Sequence, residues 1–423
     1  MTVLELSLYV SLAIAIQVTL LLSMILYRYQ RSFRQLKVQV SGTPAGAEYL
    51  LEELPEDQTA TWQGWREFEV RRKVFENRNK SICSFYLVPK DGKALPSFRP
   101  GQFLTFRIPV VEPTGENKEV VRCYSLSDMP LADVYRISVK RVSAPADHPE
   151  FSPGLLSNHL HDNVRNGDVL LVKAPSGHFY LDKSDTSSVF IAGGIGVTPM
   201  LSMLSASLER NPSRETWLFY GLKNSDEHMV KEQLEKLAVQ HSSFHLRVIY
   251  SQPLPDDVLG TDYQHPGRID LALLRMNLSR KPYQFYVCGP GPMMESLVPA
   301  LEEWGVPEQQ IHYEAFGPAS ISRLARQGHL ESGVDVPLEK STVTFSKSGQ
   351  SLDWDGSALS LLELAEDNGI KIDSGCRAGG CGSCETVIVA GEVEYMQVPD
   401  FDPSPGSCLP CIARPKHDLE LEA

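Results

Sequence analysis

Cys376, Cys381 and Cys384 stand in the run Gly375-Cys-Arg-Ala-Gly-Gly-Cys-Gly-Ser-Cys384, with Cys408 and Cys411 further along the chain. Three thiols at C-x4-C-x2-C spacing, with a distant fourth, suit a 2Fe-2S cluster. Four thiolates must converge on a flat inorganic core. Gly375, Gly379, Gly380 and Gly382 let a short loop wrap that core with its amides aimed at the sulfurs. Such a centre moves single electrons. A zinc ribbon built from Cys381-x-x-Cys384 and Cys408-x-x-Cys411, 23 residues apart, is the competing reading. It strands Cys376 and leaves the glycines without a purpose, as does a set of inert buried thiols. Spacing alone leaves Cys408 and Cys411 both available as the fourth ligand.

Two other segments carry chemistry. In Arg122-Cys123-Tyr124-Ser125 the arginine offers a bidentate cation to a phosphate, the tyrosine a flat surface to a ring system, and the serine a hydroxyl to a ring nitrogen. About 30 residues on, Gly154 and Ser157 stand at a possible helix start, where backbone amides can meet a second phosphate. The run Ala192-Gly193-Gly194-Ile-Gly196-Val197-Thr198-Pro199 follows an apolar strand and precedes the helical pattern Met200 to Leu208. Glycines there let backbone approach a dinucleotide pyrophosphate at a helix N-terminus. The string is not Gly-x-Gly-x-x-Gly, and a plain turn would also explain it.

The elements that must position these residues are legible in the hydrophobic pattern. From Trp65 to about Leu181, short alternating runs such as Glu67 to Arg71, Gln102 to Arg107 and Tyr135 to Lys140 are split by Pro and Gly turns, which predicts a small antiparallel barrel. Ser188 to Ala192, Thr216 to Tyr220, His245 to Tyr250 and Gln284 to Cys288 are continuous apolar runs alternating with helical stretches, the pattern of a parallel α/β sheet. The last part holds a strand at Ser341 to Phe345, a helix at Leu359 to Asn368 and the cysteine loop. A chain of 423 residues exceeds one core, so several domains are expected. The net charge of −13 argues against nucleic acid as a partner. Eight cysteines, at least four of them in a metal-like cluster, do not resemble a disulfide framework and favour a reducing compartment.

Leu6 to Tyr27 is a 22-residue stretch without a formal charge, long enough to cross a bilayer as a helix. It lacks the basic n-region and small-residue cleavage site of a signal peptide. Arg28, Arg31, Arg34 and Lys37 follow it, so the positive-inside rule predicts a single-pass anchor with the rest of the chain in the cytoplasm. A buried core helix is the bland alternative. Residues 28–61, acidic around Pro55 and without periodicity, read as a tether.

Arg122-x-Tyr124-Ser125, Gly154-x-x-Ser157, Gly193 to Pro199, Cys288-Gly289-Pro290 and Glu314-Ala-Phe316-Gly-Pro318 together resemble the ferredoxin-NAD(P) reductase superfamily. Trp65 to Phe68, Arg99 to Phe103 and Ala174 to Gly177 resemble the reductase half of bacterial flavohaemoglobins. A plant-type ferredoxin domain follows, and the order flavin, nicotinamide, iron-sulfur is similar to the reductase components of multicomponent oxygenases. The resemblance implies a multidomain protein: an antiparallel β-barrel FAD domain at 62–183, a parallel α/β NAD(P)-binding domain at 184–318, a linker at 319–340 and an α+β, β-grasp-like 2Fe-2S domain at 341–423. Preceding them, the predicted transmembrane helix occupies 6–27.

The same resemblance implies roles. Arg122 would hold the flavin phosphates, with Cys123 beside it, Tyr124 would lie against the isoalloxazine and Ser125 would bond the flavin N5. Gly154 and Ser157 would bind the FAD pyrophosphate. Phe316 would cover part of the flavin or its nicotinamide face. Gly193, Gly194, Gly196, Val197, Thr198 and Pro199 would bind the nicotinamide dinucleotide, with Gly289 and Pro290 completing the site, and Cys288 would sit near the nicotinamide as hydride passes. A buried Cys288 acting only as a small hydrophobe is the alternative. In plant-type ferredoxins the last ligand precedes a short hydrophobic stretch ending in Pro, as Cys411 does, so the implied metal ligands are Cys376, Cys381, Cys384 and Cys411. After Tyr220 the chain lacks the arginine and serine set that grips a 2′-phosphate, and Asp226 suits a ribose hydroxyl, which favours NADH, while Lys223 keeps NADPH possible.

The implied activity is an NADH:acceptor oxidoreductase passing electrons from NADH through FAD to a 2Fe-2S cluster and on to a membrane-associated oxygenase, hydroxylase or desaturase. A quinone-reducing dehydrogenase is the rival enzyme, weakened because the sodium-pumping relatives place the ferredoxin domain before the flavin domain. No stretch ahead of the reductase half is long enough for a globin, so nitric oxide dioxygenation is not expected. A tethered zinc-ribbon scaffold is the non-enzymatic rival.

Overall fold

The computed structural model describes Trp62, residues 64–111, 117–144, 153–316 and 341–423, the last without 376, 378, 380, 397, 398 and 400. The predicted anchor at 6–27, the tether at 28–61 and the linker at 319–340 lie outside the described residues. No helix among the described residues is long and apolar enough to cross a membrane.

Six strands form the first sheet: β1 (Arg66–Phe75), β2 (Ile82–Pro89), β3 (Phe103–Val111), β4 (Asn117–Ser125), β5 (Tyr135–Lys140) and β6 (Val169–Ser176), in the order β4-β3-β6-β1-β2-β5. Period-two patterning drives it. In β1, Phe68 and Val70 are buried while Glu67 and Glu69 face outward. An antiparallel bridge from Leu126 to Ile137 joins the two ends of this order and closes the barrel. Helix α1 (Leu155–Asp162) covers it with Leu156 and Leu160.

The second sheet holds β7 (Ser188–Gly193), β8 (Thr216–Leu222), β9 (Phe244–Tyr250), β10 (His265–Pro266), β11 (Gln284–Gly289) and β12 (Ile311–Ala315), all parallel, in the order β10-β9-β8-β7-β11-β12. Every residue of β7 is buried, because helices cover both faces. Phe190, Ala192, Leu218, Tyr220 and Cys288 pack with Met200 and Leu204 of α2 (Val197–Arg210) on one side. Leu234 of α3 (Lys231–Gln240) joins that side. Val189, Ile191, Phe219 and Val287 pack on the other side with α4 (Leu271–Asn277) and α5 (Gly291–Glu303). The chain steps outward from β7 through β8 to β9, then returns to place β11 on the opposite side of β7. The β7/β11 junction is therefore a topological switch point, where a crevice opens at the carboxyl ends of the strands.

The third part has β13 (Ser341–Phe345), β14 (Gln350–Trp354), β15 (Thr386–Ala390), β16 (Val393–Tyr395), β17 (Ser407–Cys408), β18 (Ala413–Pro415) and β19 (Leu419–Leu421). Five of them form a mixed sheet, β14-β13-β19-β15-β17, and β16 pairs with β18. Helix α6 (Leu361–Asp367), capped by the Ser360 hydroxyl accepting from the Glu363 amide, packs on the sheet through Leu361, Leu364 and Ala365. Barrel and second sheet are joined by the Ser202 hydroxyl donating to the Asp128 carbonyl at 2.7 Å and the Asp182 amide donating to the Tyr286 hydroxyl at 2.8 Å.

Candidate functional site

At the switch point the two glycine motifs predicted from sequence meet. A methyl group built on Gly196 would overlap the Cys288 carbonyl oxygen and lie 2.6 Å from its carbon. One built on Gly193 would lie 2.6 Å from Pro290 Cδ, and one on Gly289 would lie 3.0 Å from Gly193 Cα while overlapping Met293 Cε. Backbone thus packs on backbone where a side chain would fill the crevice, and only Gly194, at φ +53, needs the left-handed region. The Thr198 hydroxyl donates to the Ile195 carbonyl at 3.0 Å, fixing the first turn as Val197, Thr198 and Pro199 enter α2. Helix start, glycine edge and the Cys288-Gly289-Pro290 turn form one cradle that suits a dinucleotide phosphate.

Cys288 is fully buried at the end of β11, and burial pushes its thiol well above the ordinary range, with Glu314 adding to the shift. Glu314 pairs with it across β12. Its Oε2 is shut off from solvent without a hydrogen-bond partner, and burial raises its carboxyl to about 8. In sequence Glu314 is only one letter of the Glu314 to Pro318 motif, with no task of its own. Phe316 follows β12 with its ring partly exposed. Gly317 and Pro318 lie outside the described residues.

On the barrel, the predicted flavin set lies along the end of β4. Tyr124 meets Phe106 edge-on at 5.7 Å, and burial raises its phenol. Cys123 Sγ is 3.4 Å from Thr105 Oγ1, and Ser125 is buried opposite Phe103. Gly154 caps α1. A methyl on it would sit 2.7 Å from Ser157 Oγ and 2.8 Å from Val142 Cβ, and Ser157 donates to the Gly154 carbonyl at 3.1 Å. The structure brings Arg122 to Ser125 together on one strand and joins Gly154 to Ser157 in one turn.

The cysteine loop is built differently. Cys384 Sγ lies 3.1 Å from Cys411 Sγ with no disulfide between them, both buried with Leu362, Leu409 and Ile412. Cys381 Sγ points to Ser383 Oγ at 3.2 Å, and a methyl on Gly375 would sit 2.8 Å from that sulfur. Gly379 (φ +73) and Gly382 (φ +65) turn the loop beneath Ile412 and Phe401. Cys376 and Gly380 lie outside the described residues, and among the described residues no group of three potential ligands surrounds a single ion. A two-iron core takes its thiolates as two pairs, and the close Cys384/Cys411 couple fits one of them. Cys408 is on β17 within the sheet core beside Ala413 and Leu421, where burial raises its thiol to about 12. Its surroundings are those of hydrophobic packing.

This loop rests on the barrel. Lys173 of β6 donates from Nζ to the Cys381 carbonyl at 2.7 Å, Arg122 Nη1 reaches the Ser374 carbonyl at 3.4 Å, and a methyl on Gly375 would lie 3.3 Å from Val121 Cγ1. Sequence reasoning missed Lys173. Its only signal is its place directly before the Ala174 to Gly177 run that carries the flavohaemoglobin likeness.

Three family models match in order: the oxidoreductase FAD-binding domain over residues 67–180, the oxidoreductase NAD-binding domain over 190–298, and the 2Fe-2S iron-sulfur cluster binding domain over 343–416. The flavohemoprotein of Halalkalibacterium halodurans is 41% identical over 260 residues, covering 60% of this chain and 61% of that protein. That of Rhizobium meliloti is 38% identical over 275 residues, covering 65% and 66%. The chain thus spans less than two thirds of these relatives. The flavohem-like FAD/NAD binding domain of a nitric oxide dioxygenase from Vibrio cholerae is 34% identical, with a TM-score of 0.52 over 60% of this chain and 99% of that one. An intact type IV self-sufficient cytochrome P450 monooxygenase shares the fold over 85% of this chain and 41% of its own, at a TM-score of 0.55 and 22% identity. With flavin barrel, nucleotide crevice and cysteine loop succeeding one another along a single chain, the protein belongs to the ferredoxin-NAD(P) reductase superfamily with a C-terminal 2Fe-2S domain, and is an oxidoreductase with FAD-binding, NAD-binding and 2Fe-2S cluster binding domains.

Proposed function

We propose that this chain is a membrane-anchored, cytoplasm-facing reductase that supplies electrons from NADH to a membrane-associated oxygenase, hydroxylase or desaturase. The observation that carries the reading is the seating of the cysteine loop on β4, the strand of Arg122 to Ser125, so that the flavin-side and cluster-side residues adjoin. A bound flavin would supply the conversion of a hydride's electron pair into single electrons that a 2Fe-2S cluster could accept. The chain's residues orient and exclude. Gly193, Gly194, Gly196, Val197, Thr198 and Pro199, with Gly289 and Pro290, hold the dinucleotide against backbone. Arg122, Gly154 and Ser157 would hold the flavin phosphates, while Tyr124 would lie against its ring, Phe316 would cover part of the flavin or its nicotinamide face, and Ser125 would donate to it. Cys288 and the protonated Glu314 keep the nicotinamide pocket neutral and dry. Cys376, Cys381, Cys384 and Cys411 hold the cluster. Asp226 near the end of β8 favours NADH over NADPH. The uncharged stretch 6–27 and the four cations after it support the anchor and the cytoplasmic placement.

A chain ending at residue 318 tests the route, since a domain of that extent stands alone in the Vibrio cholerae structure. It is expected to keep NADH-ferricyanide turnover and lose cytochrome c reduction. Undiminished cytochrome c reduction would remove the cluster from the path. Deleting residues 1–37 is expected to move the protein from the membrane to the soluble fraction with ferricyanide turnover unchanged. A deletion variant that still sediments with membranes would refute the anchor.

A further inference from the structure

We propose that Lys173 is a positioning residue that clamps the cluster loop to the flavin barrel and sets the charge beside the iron-sulfur centre. The inference rests on the assignment of Cys381 as a cluster ligand. Lys173 lies on β6 opposite Thr105 of β3, and β3 in turn pairs with β4, so the lysine and Arg122 rise from strands on either side of β3. Its ammonium sits 5.2 Å from the Trp65 ring centroid on the barrel side and 4.9 Å from the Phe401 ring centroid on the loop side. Between these two aromatic faces it donates to the Cys381 carbonyl at 2.7 Å. Arg107 stacks over the same Trp65 ring at 4.7 Å and holds that wall in place.

Three features make this more than a surface contact. The acceptor is the backbone of a ligand residue itself, so the bond fixes the depth at which Cys381 enters the loop. Phe401 is the ring under which Gly382 turns, at 2.5 Å from where a methyl would stand, so the same aromatic group braces the loop and receives the cation. The ring on each side shields a charge-assisted hydrogen bond from water, which strengthens it. A fixed cation at that place favours the more negative, reduced state of the neighbouring centre.

The test uses the full-length holoenzyme with Lys173→Met, which keeps the length of the stem and removes donor and charge, beside Lys173→Arg, which keeps both. Iron and FAD content are measured first. Amide hydrogen exchange of residues 374–385 and the midpoint potential of the cluster, followed by its electron paramagnetic resonance signal, are the decisive readouts. In Lys173→Met, loop exchange should rise about tenfold, the potential should fall, and flavin-to-cluster transfer should slow about ten- to hundredfold. Lys173→Arg should restore all three most of the way. If Lys173→Met fails to fold, Phe401→Leu, which removes only the loop-side ring, should raise loop exchange in the same direction. A Lys173→Met or Phe401→Leu protein with parental exchange and parental potential would overturn the clamp alone. A parent without iron would overturn the cluster assignment and the clamp with it.

Discussion

Two glycine-rich turns serve this molecule, one at the β7/β11 crevice and one around the cysteines, and they use glycine for opposite reasons. Around Gly193 and Gly196 the backbone angles are open to any residue, φ −112 and −61, and the requirement is room: Gly196 lies against the Cys288 and Gly289 backbone, and Gly193 against the Pro290 ring and the Met293 side chain. Around Gly379 and Gly382 the requirement is the left-handed turn, and the neighbours are the side chains of Ile412 and Phe401. Backbone cannot step aside without breaking the sheet. A ring can rotate. The nucleotide site is therefore rigid by construction, and the cluster loop depends on a few movable side chains.

The largest effect expected from that contrast comes from Gly196→Ala. The methyl would press on the Cys288 carbonyl, and a loss of about 3 kcal/mol or more in denaturant unfolding is expected, with NADH binding abolished. Gly382→Ala should cost less, about 1–2 kcal/mol from the left-handed backbone, and should lower iron content. Adding Phe401→Ala should relieve the clash of the new methyl with that ring but leave the left-handed backbone cost, so only part of the loss in the Gly382→Ala protein should be recovered, whereas no single side-chain truncation should rescue Gly196→Ala. Equal costs, or rescue at the crevice, would erase the distinction.

The next effect concerns which cysteine belongs to the loop and which to the sheet. Cys411→Ser should abolish the 2Fe-2S absorbance while FAD stays bound, and Cys408→Ser, in the core beside β15, should spare it at a stability cost of about 1 kcal/mol. Iron content that follows Cys408 would reverse the assignment.

The smallest effect in any one measurement is a pH dependence at the crevice, read as a slope from one pH unit to the next. Glu314 titrates at about 8 in the fold against an ordinary 4.5. Between those values the unfolded chain has released the proton that the folded one keeps, so folding stability from this group is complete below pH 4.5 and declines as pH rises toward 8. The slope is about 1 kcal/mol per pH unit. Glu314→Gln should flatten that decline in pH-resolved thermal melts. An identical slope in both proteins would place the carboxyl in water.

Most of the architecture is legible in the residues alone. Tyr135 to Lys140 and Ser341 to Phe345 match the observed strands at both ends, and the apolar runs of the parallel sheet fall within one to two residues of theirs, because period and punctuation are local properties. The helix read at Leu359 to Asn368 is shorter, Leu361–Asp367, since Ser360 caps it and Leu359 serves the capping turn. Contacts between distant strands leave no local trace. The meeting of Gly196 with Cys288, the Glu314 carboxyl beside that thiol, and Lys173 reaching Cys381 each join segments far apart in sequence. Composition marks Lys173 as one more surface cation, and only the fold places it between two rings.

Strand β4 carries a consequence for how such proteins can be recombined. Val121 and Arg122, against the cysteine loop, stand two to four positions ahead of Tyr124 and Ser125, so one ribbon serves two domains. A single-residue slip in its pairing with β3 would turn both sets of side chains to the wrong face together. The domains look like interchangeable cassettes along the sequence, but a transplanted ferredoxin module would need the host barrel to carry matching residues at 121, 122 and 173. Exchange by gene fusion is thus constrained by a few barrel positions that lie far outside the segment being exchanged.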